Sequence, residues 1–421
     1  MSLRRGLFRA ASQGLFSAAG PWLRRRYAQG FPERTGRIEG PLSSSRRGKP
    51  LWVHAVSVGE VQAAYPFVLA ARRDGYNGPL VLSTITETGR SMALRLLGDQ
   101  LDRVLRYPWD APSYVRRALD ALDPWGYVTF ETELWPVLLW ELQDRGIPSF
   151  LANGRLSLRS WGRMTRTRRF WGDVLGALSA CLVREEADAA RFRDLGVPPD
   201  RLHVLGDCKV DALFQRRAAS DPGEWRRLLG GAGPLLVAGS THEGEEAAVC
   251  EAFSRVRRRV PGARLLWAPR HPQRAGACLE RAREVGAACL FSQREADWTI
   301  LVLDVVGVLF DLYGIADGAF VGGSLVPRGG QNLMEPAVWG VPILHGPHME
   351  DFQSVAADLD REGLSREVRG TEDLEQGFLS VLEGDFFPHP EATERYFAPR
   401  IGAATRTWGV VKRLAGQDNG W

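Results

Sequence analysis

Short apolar runs alternate with helical stretches along this chain, and the alternation happens twice. LWVHAV (51–56), PLVLSTI (79–85), RVLRYP (103–108), WGYVTF (125–130), IPSFLAN (147–153), SACLVR (179–184) and RLHVLG (201–206) read as strands. SVGE (57–60) reads as a turn, and helical spacing covers 61–71, 87–97, 113–122, 134–144 and a long basic stretch around 158–175. The pattern restarts with PLLVAGS (234–240), a helix over 243–258, ARLLWAP (263–269), a helix over 274–285 and WTILVLD (298–304). Such alternation requires parallel sheets with helices on both faces. Periodicity is weakest at 209–232, so the boundary between two doubly wound, Rossmann-like α/β domains falls there. The expected segments are a basic amphipathic segment at 1–39, an N-terminal domain at 40–213 and a C-terminal domain at 214–390. A closing helix in 391–421 is expected to pack back toward the N-terminal domain. Ligands of such sheets bind at the carboxyl ends of the strands, here in a cleft expected between the two domains.

One stretch of the second half is rich in chemistry. Residues 318–349, GAFVGGSLVPRGGQNLMEPAVWGVPILHGPHM, read as strand, glycine-rich loop, a short helix opened by Asn332, and a second strand. Free N–H groups at a helix mouth, with a dipole of roughly +0.5 charge, suit a phosphate. Glu335, three residues past Asn332, suits a ribose as a hydrogen-bond acceptor and suits Asn332 as a capping-box partner equally well.

Composition narrows the class. At 421 residues the chain is too long for one ordinary core. Its five cysteines form no CxxC pair and its histidines no HExxH pattern, which argues against a disulfide framework or a metalloenzyme. The net charge of +4 is local in origin. Residues 1–50 hold eleven basic side chains against Glu33 and Glu39, an excess of nine, which leaves the rest of the chain at −5. A nucleic-acid binder would carry that charge on its folded body. Leu3, Leu7, Phe8, Ala11, Leu15, Phe16, Ala19, Trp22 and Leu23 recur at helical spacing among arginines. This is too polar to span a bilayer. It reads as an interfacial helix, or alternatively as a helix packed on the protein body.

Polar clusters follow the predicted strands. They include Ser57-Val58-Gly59-Glu60, Glu131-Thr132-Glu133, Asn153 with Arg155, Arg184-Glu185, and Asp207 with Lys209 and Asp211. The second half adds Ser240-Thr241-His242-Glu243 and Arg270-His271-Pro272. A single strand-end carboxylate is often only a helix N-terminal charge; polar groups after almost every strand exceed what a fold demands.

WVHAVSVGEV (52–61), ETELWP (131–136), ANGRLS (152–157), GSTHEGEE (239–246), PRHPQR (269–274), FVGGSLV (320–326), GGQNLMEPA (329–337) and GPHMEDF (346–352) occur in that order. Together they resemble the 3-deoxy-D-manno-octulosonic acid (Kdo) transferases, glycosyltransferases of GT-B architecture that act in lipopolysaccharide assembly. The resemblance implies inverting transfer of Kdo from CMP-Kdo to a hydroxyl of a lipid A precursor, at the cytoplasmic face of the bacterial inner membrane. It implies no metal, cofactor or nucleic-acid partner. It places Glu60 as general base with Glu131 and Glu133 beside it, and Ser57, Gly59 and Arg155 on the acceptor side. Ser240, Arg270, His271, Pro272, Gly322, Gly323, Asn332 and Glu335 fall on the donor side. A nucleotide-sugar epimerase, or a non-catalytic lipid-binding relative, would share the architecture. The sequence departs from the family at Gln331, where His is usual, at Asp207, where Asn is usual, and at LDVVGVLFDLY (303–313), where a DTMGEL-like stretch is usual.

Overall fold

The computed structural model describes residues 3–40, 46, 48–294, 297–387 and 390–416. Most of the Ser/Arg/Gly-rich loop expected at 40–50 lies outside them, as does His389. The chain divides into two compact units, Met1–Ala212 with Arg400–Trp421, and Leu213–Pro399.

The first unit is built on seven parallel strands: β1 (Leu51–His54), β2 (Leu80–Thr84), β3 (Arg103–Arg106), β4 (Gly126–Phe130), β5 (Ser149–Gly154), β6 (Ala180–Val183) and β7 (Leu202–Val204). Their order is β3-β2-β1-β4-β5-β6-β7, so the winding reverses between β1 and β4. Trp52 pairs with Val81 on one side and Tyr127 on the other. Alternate strand residues feed two cores, as a period of two demands. Val53, Leu82 and Val128 pack with Phe67 and Trp408, while Trp52, Val81 and Tyr127 pack with Val115, Leu138 and Phe192.

The second unit repeats the plan with β8 (Leu235–Thr241), β9 (Arg264–Pro269), β10 (Ala288–Leu290), β11 (Ile300–Val302), β12 (Gly318–Val321), β13 (Ile343–His345) and β14 (Ser365–Glu367). The order β10-β11-β9-β8-β12-β13-β14 reverses between β8 and β12.

Several expectations change. The helix after β1 runs Val58–Arg73, so Glu60 lies on its first turn rather than in a preceding turn. The basic stretch at 158–175 is two helices, Leu158–Thr165 and Arg168–Leu175. The aperiodic stretch at 209–232 is largely helical, as Cys208–Ala219 and Pro222–Leu229, and the division between units falls inside the first of these. The expected single closing helix is also two: Pro390–Phe397 and Ala403–Ala415. Pro399 cannot continue a helix, and Gly402, at φ +85°, opens the second one. Pro390–Phe397 belongs to the second unit, where Phe397 meets Phe214 edge-on. Ala403–Ala415 belongs to the first unit. Asp211 caps its start through the Gly402 and Ala404 amides, and Trp408 Nε1 donates to Asp74.

The N-terminal helix, Leu3–Arg26, is present, but its faces are not divided as the spacing suggests. Its polar and aromatic side packs on the first unit. Arg5 pairs with Asp173 at 2.8 Å, Arg9 with Asp144 at 2.7 Å, and Phe8 and Phe16 meet Trp140 and Trp109. Leu3, Leu7, Leu15 and Trp22 remain 59–81% exposed. Among the described residues, no helix is long and apolar enough to cross a membrane.

Candidate functional site

In the first unit the predicted residues gather where the winding reverses, the usual ligand position in an open α/β sheet. Glu60 sits on the first turn of Val58–Arg73 and is 9% exposed. Its carboxylate turns back to accept the Val56 N–H at 2.5 Å and, weakly, the Ser57 hydroxyl at 3.4 Å. Burial raises its pKa to about 7, the Glu133 and Glu131 carboxylates add to the rise, and the two hydrogen bonds oppose it. Glu131 terminates β4 in left-handed backbone, φ +62°, and is ion-paired with Lys209. The Lys209 ammonium lies over Gly59. Burial, then the Glu131 charge, raises the pKa of Glu133. Arg155 joins through its backbone, its carbonyl accepting from the Thr132 hydroxyl, while its side chain is exposed. Lys209 stood among the strand-end clusters without a role; the structure gives it Glu131 as a partner.

The second unit holds a 270 Å³ pocket where its own winding reverses, just below the ~300–1,000 Å³ common for small-molecule sites. Ser240, Arg270, Asn332 and Glu335 line it, together with Arg216, Phe310, Tyr313 and Gln331. Ser240 sits in left-handed backbone, φ +57°, at a register shift between β8 and β9. The Arg270 N–H donates to the Thr241 carbonyl at 2.8 Å, which fixes the start of that side chain. Arg216 stacks on Phe310 at 4.2 Å and donates to the Gly307 carbonyl at 2.9 Å. Burial pushes the Glu335 carboxyl up; Arg216, Asn332 and Arg270 pull it down. Asn332 accepts from the Met334 N–H at 3.1 Å.

His271, Pro272, Gly322 and Gly323 stand outside the lining. His271 meets His242 edge-on at 5.7 Å, and Pro272 opens a single turn, Pro272–Arg274. The anion cradle expected at the glycine-rich turn is not free. The helix that follows is one turn, Met334–Ala337, too short for an appreciable dipole. The N–H groups of Gly323, Ser324 and Leu325 already donate to the Glu245 carboxylate, at 2.5, 3.3 and 3.1 Å. A Cβ at Gly322 would lie 2.5 Å from Glu245 Oε1 and 2.6 Å from Thr241 Cα, so only glycine fits. Sequence reasoning missed both Glu245 and Arg216. The GSTHEGEE motif contains Glu245, but three of its four amide partners are 78 to 80 residues away. Among the described residues, no group of three or more His, Cys, Asp or Glu is arranged to hold a metal ion.

A family model described as 3-deoxy-D-manno-octulosonic-acid transferase (kdotransferase) matches residues 29–212. The 3-deoxy-D-manno-octulosonic acid transferase of Haemophilus influenzae is 30% identical over 410 residues, covering 95% of this chain and 92% of that protein. The Bordetella pertussis enzyme of the same name is 32% identical, covering 98% and 100%. The chain belongs to the Kdo transferase family. It is therefore a glycosyltransferase; Glu60 lies beside the winding reversal of the first unit, and Arg270, Asn332 and Glu335 line the pocket at that of the second. The fold also matches the UDP-GlcNAc 2-epimerase of Neisseria meningitidis, with a TM-score of 0.62 at 14% identity over 88% of this chain and 100% of that one. That likeness concerns the GT-B fold alone.

Proposed function

We propose that the protein transfers Kdo from CMP-Kdo to a hydroxyl of the lipid A precursor, lipid IVA, with inversion and with Glu60 as general base. The observation that carries this is Glu60 itself. A sugar hydroxyl is a weak nucleophile and needs a base within hydrogen-bond reach. Glu60 is a buried carboxylate with a pKa of about 7 and one oxygen held only by a 3.4 Å contact. It takes the proton of the acceptor hydroxyl as the hydroxyl oxygen bonds to the anomeric carbon of Kdo and the bond from that carbon to the CMP phosphate oxygen breaks. Glu131 and Glu133 keep its proton affinity high, and Ser57, Gly59 and Arg155 border the acceptor.

The 270 Å³ pocket receives the donor. Arg270 and Arg216 offset the charge that develops on the departing phosphate, and Asn332 and Glu335 hold the ribose. Ser240 contacts the nucleotide; His271, Pro272, Gly322 and Gly323 support the loops around it. The reaction needs no metal, so turnover persists in EDTA. The N-terminal helix rests at the cytoplasmic face of the inner membrane on its outward Leu3, Leu7, Leu15 and Trp22. Deleting that helix would remove the buried Arg9 and Leu23 and uncover the surface they pack on; replacing Leu7, Leu15 and Trp22 with serine tests the contact without that damage.

Product analysis from CMP-Kdo and lipid IVA decides the assignment. Mass spectrometry should show acceptor plus Kdo. An unmodified acceptor, under conditions where a control transferase works, would sink it, and turnover of donor alone to an isomer would favour an epimerase.

A further inference from the structure

The first unit contains a second cavity that none of the motifs accounts for. It measures 520 Å³ and lies between the end of the N-terminal helix, the turn at 31–37 and the helix Pro112–Leu122. Arg24, Arg37 and Arg117 line it, together with Phe31 and Tyr114. Among the described residues none of the three arginines has a carboxylate partner; Arg117 donates only to the Ser113 carbonyl, at 3.0 Å, and lies over the Tyr114 ring. Three guanidiniums without a counter-charge repel one another, and an anion between them removes that cost.

The scaffold beneath them is rigid. The Arg37 N–H donates to the Pro32 carbonyl at 2.8 Å, and the Thr35 hydroxyl to the Phe31 carbonyl at 3.0 Å. Gly36, at φ +77°, presses so closely on the Pro112–Leu122 helix that a Cβ there would lie 2.0 Å from the Tyr114 carbonyl oxygen. Arg37 and Arg117 are therefore held on abutting elements. Arg34, buried under the turn, donates to the Ile85 carbonyl at 2.9 Å, which ties the turn to the loop after β2. That loop in turn donates through Ile85 and Thr86 to the Val56 carbonyl, next to Glu60. The cavity thus stands on the same edge of the sheet as the buried carboxylates, and Trp22, 59% exposed, lies two residues before Arg24 in the N-terminal helix.

We propose that this cavity binds a phosphate group carried by a membrane amphiphile. Planar guanidinium forks match phosphate oxygens bidentately. A phosphate monoester carries about −1.5 to −2 charge near neutrality, which suits three arginines better than the single charge of a diester. The rings of Phe31 and Tyr114 supply apolar contact for what the phosphate is attached to. The amphiphile is either a bilayer phospholipid or the phosphorylated glycolipid acceptor, and both present the same group. This rests on the interfacial reading of the N-terminal helix but not on the transfer reaction.

The experiment compares the full-length protein with Arg37→Gln/Arg117→Gln and with a charge-matched control, Arg4→Gln/Arg25→Gln. Each is co-sedimented with phosphatidylcholine vesicles containing phosphatidic acid or, at equal surface charge, phosphatidylglycerol. The wild type should favour phosphatidic acid by on the order of tenfold, the scale of one or two charge-assisted hydrogen bonds. The cavity variant should lose that preference, and the control should weaken on both vesicles yet keep it. Equal behaviour of the two variants would overturn the proposal, because diffuse surface charge would then explain the binding. Titration with glycerol 3-phosphate separates the site from the membrane. Saturable binding that only the cavity variant loses supports the site even if the wild type ignores vesicles, a result that would defeat the interfacial reading alone. Loss of the phosphatidic acid preference on adding lipid IVA to the vesicles would support the site with the glycolipid as occupant; its persistence would support the site with the phospholipid as occupant.

Discussion

Glu60 and Glu245 occupy matching places in the two units. Each follows a glycine, each stands just beyond the first strand of its sheet, and each lies at the mouth of the helix leaving that strand. Burial pushes the pKa of both upward. They differ in what they accept. Glu245 takes four backbone N–H groups, from His242, Gly323, Ser324 and Leu325. Glu60 takes one N–H and a long contact from a hydroxyl. A carboxylate has about four acceptor sites, so Glu245 is saturated and Glu60 is not. The same position in the same topology yields a structural pin in one unit and a group free to exchange a proton in the other.

The sharpest way to break this comparison is to neutralise Glu60. Glu60→Gln should lower kcat by ~10²–10⁴-fold, the usual worth of a general base, with CMP binding by calorimetry unchanged. A variant near wild-type rate would remove Glu60 from the chemistry. Stability should move the other way. A carboxyl raised from 4.5 to about 7 stabilises the fold while protonated, and that contribution is lost as pH climbs through 7. The shift corresponds to an upper limit of about 3 kcal/mol. Glutamine does not titrate, so the variant should gain on the wild type in thermal melts as pH is raised from 5 to 8.

Glu245 should respond in the opposite sense. Glu245→Ala leaves the Gly323, Ser324 and Leu325 amides without their acceptor, and unmade buried hydrogen bonds cost about 1–3 kcal/mol each. A loss of roughly 3–5 kcal/mol in urea unfolding is expected, with donor affinity falling as the turn loosens. A variant as stable as the wild type would show that the turn does not depend on this carboxylate.

The pH profile separates the two further. Because Glu60 must be ionised to act as base, kcat/KM should fall tenfold per pH unit below about 7 and level off above it. In the donor pocket, Arg216→Ala should weaken CMP binding by ~10–100-fold, the scale of a lost charge-assisted hydrogen bond, without moving that profile. A shifted profile would mean that Arg216 acts on the proton transfer and not on the donor.

The comparison also marks where sequence reading stops. Alternating apolar runs were enough for the two parallel sheets, since strands buried on both faces are near-continuous in Val, Leu and Ala. The three-residue edge strands β10 and β14 escaped for different reasons: Ala288-Cys289-Leu290 is apolar but too short a run to read as a strand, and Ser365-Arg366-Glu367 carries no apolar signal at all. Glu60 was legible through its motif, and its first-turn position follows from a helix that starts three residues earlier than the spacing suggested. Glu245 lay inside a recognised motif, yet its function is set by amides 78 to 80 residues along the chain, which no local pattern encodes. Arg216 lay in the stretch of weakest periodicity, where tertiary contacts with Gly307 and Phe310 define its place. The N-terminal helix was legible as a helix but not in its facing, for the same reason: Arg5 and Arg9 turn inward to carboxylates 168 and 135 residues away, while Leu3, Leu7 and Leu15 stay exposed.

The smallest expected effect concerns backbone strain, which both units place at strand ends. Glu131, Asn153 and Ser240 all adopt left-handed backbone directly after or within the last residues of β4, β5 and β8. Such conformations cost of order 1–3 kcal/mol for a side-chain-bearing residue and persist where the surroundings hold them. Asp123 is also left-handed, at φ +41°, but it ends the helix Pro112–Leu122 and pairs with Lys49 on the exposed surface. Ser240→Gly and Asp123→Gly should therefore both stabilise, by ~1 kcal/mol or less in urea unfolding, since glycine enters that region without penalty. Only Ser240→Gly should also raise the KM for donor, because it removes a side chain from the pocket wall. If the two substitutions have the same effect on KM, the strain at Ser240 is a consequence of the register shift in β8 and places nothing for the reaction.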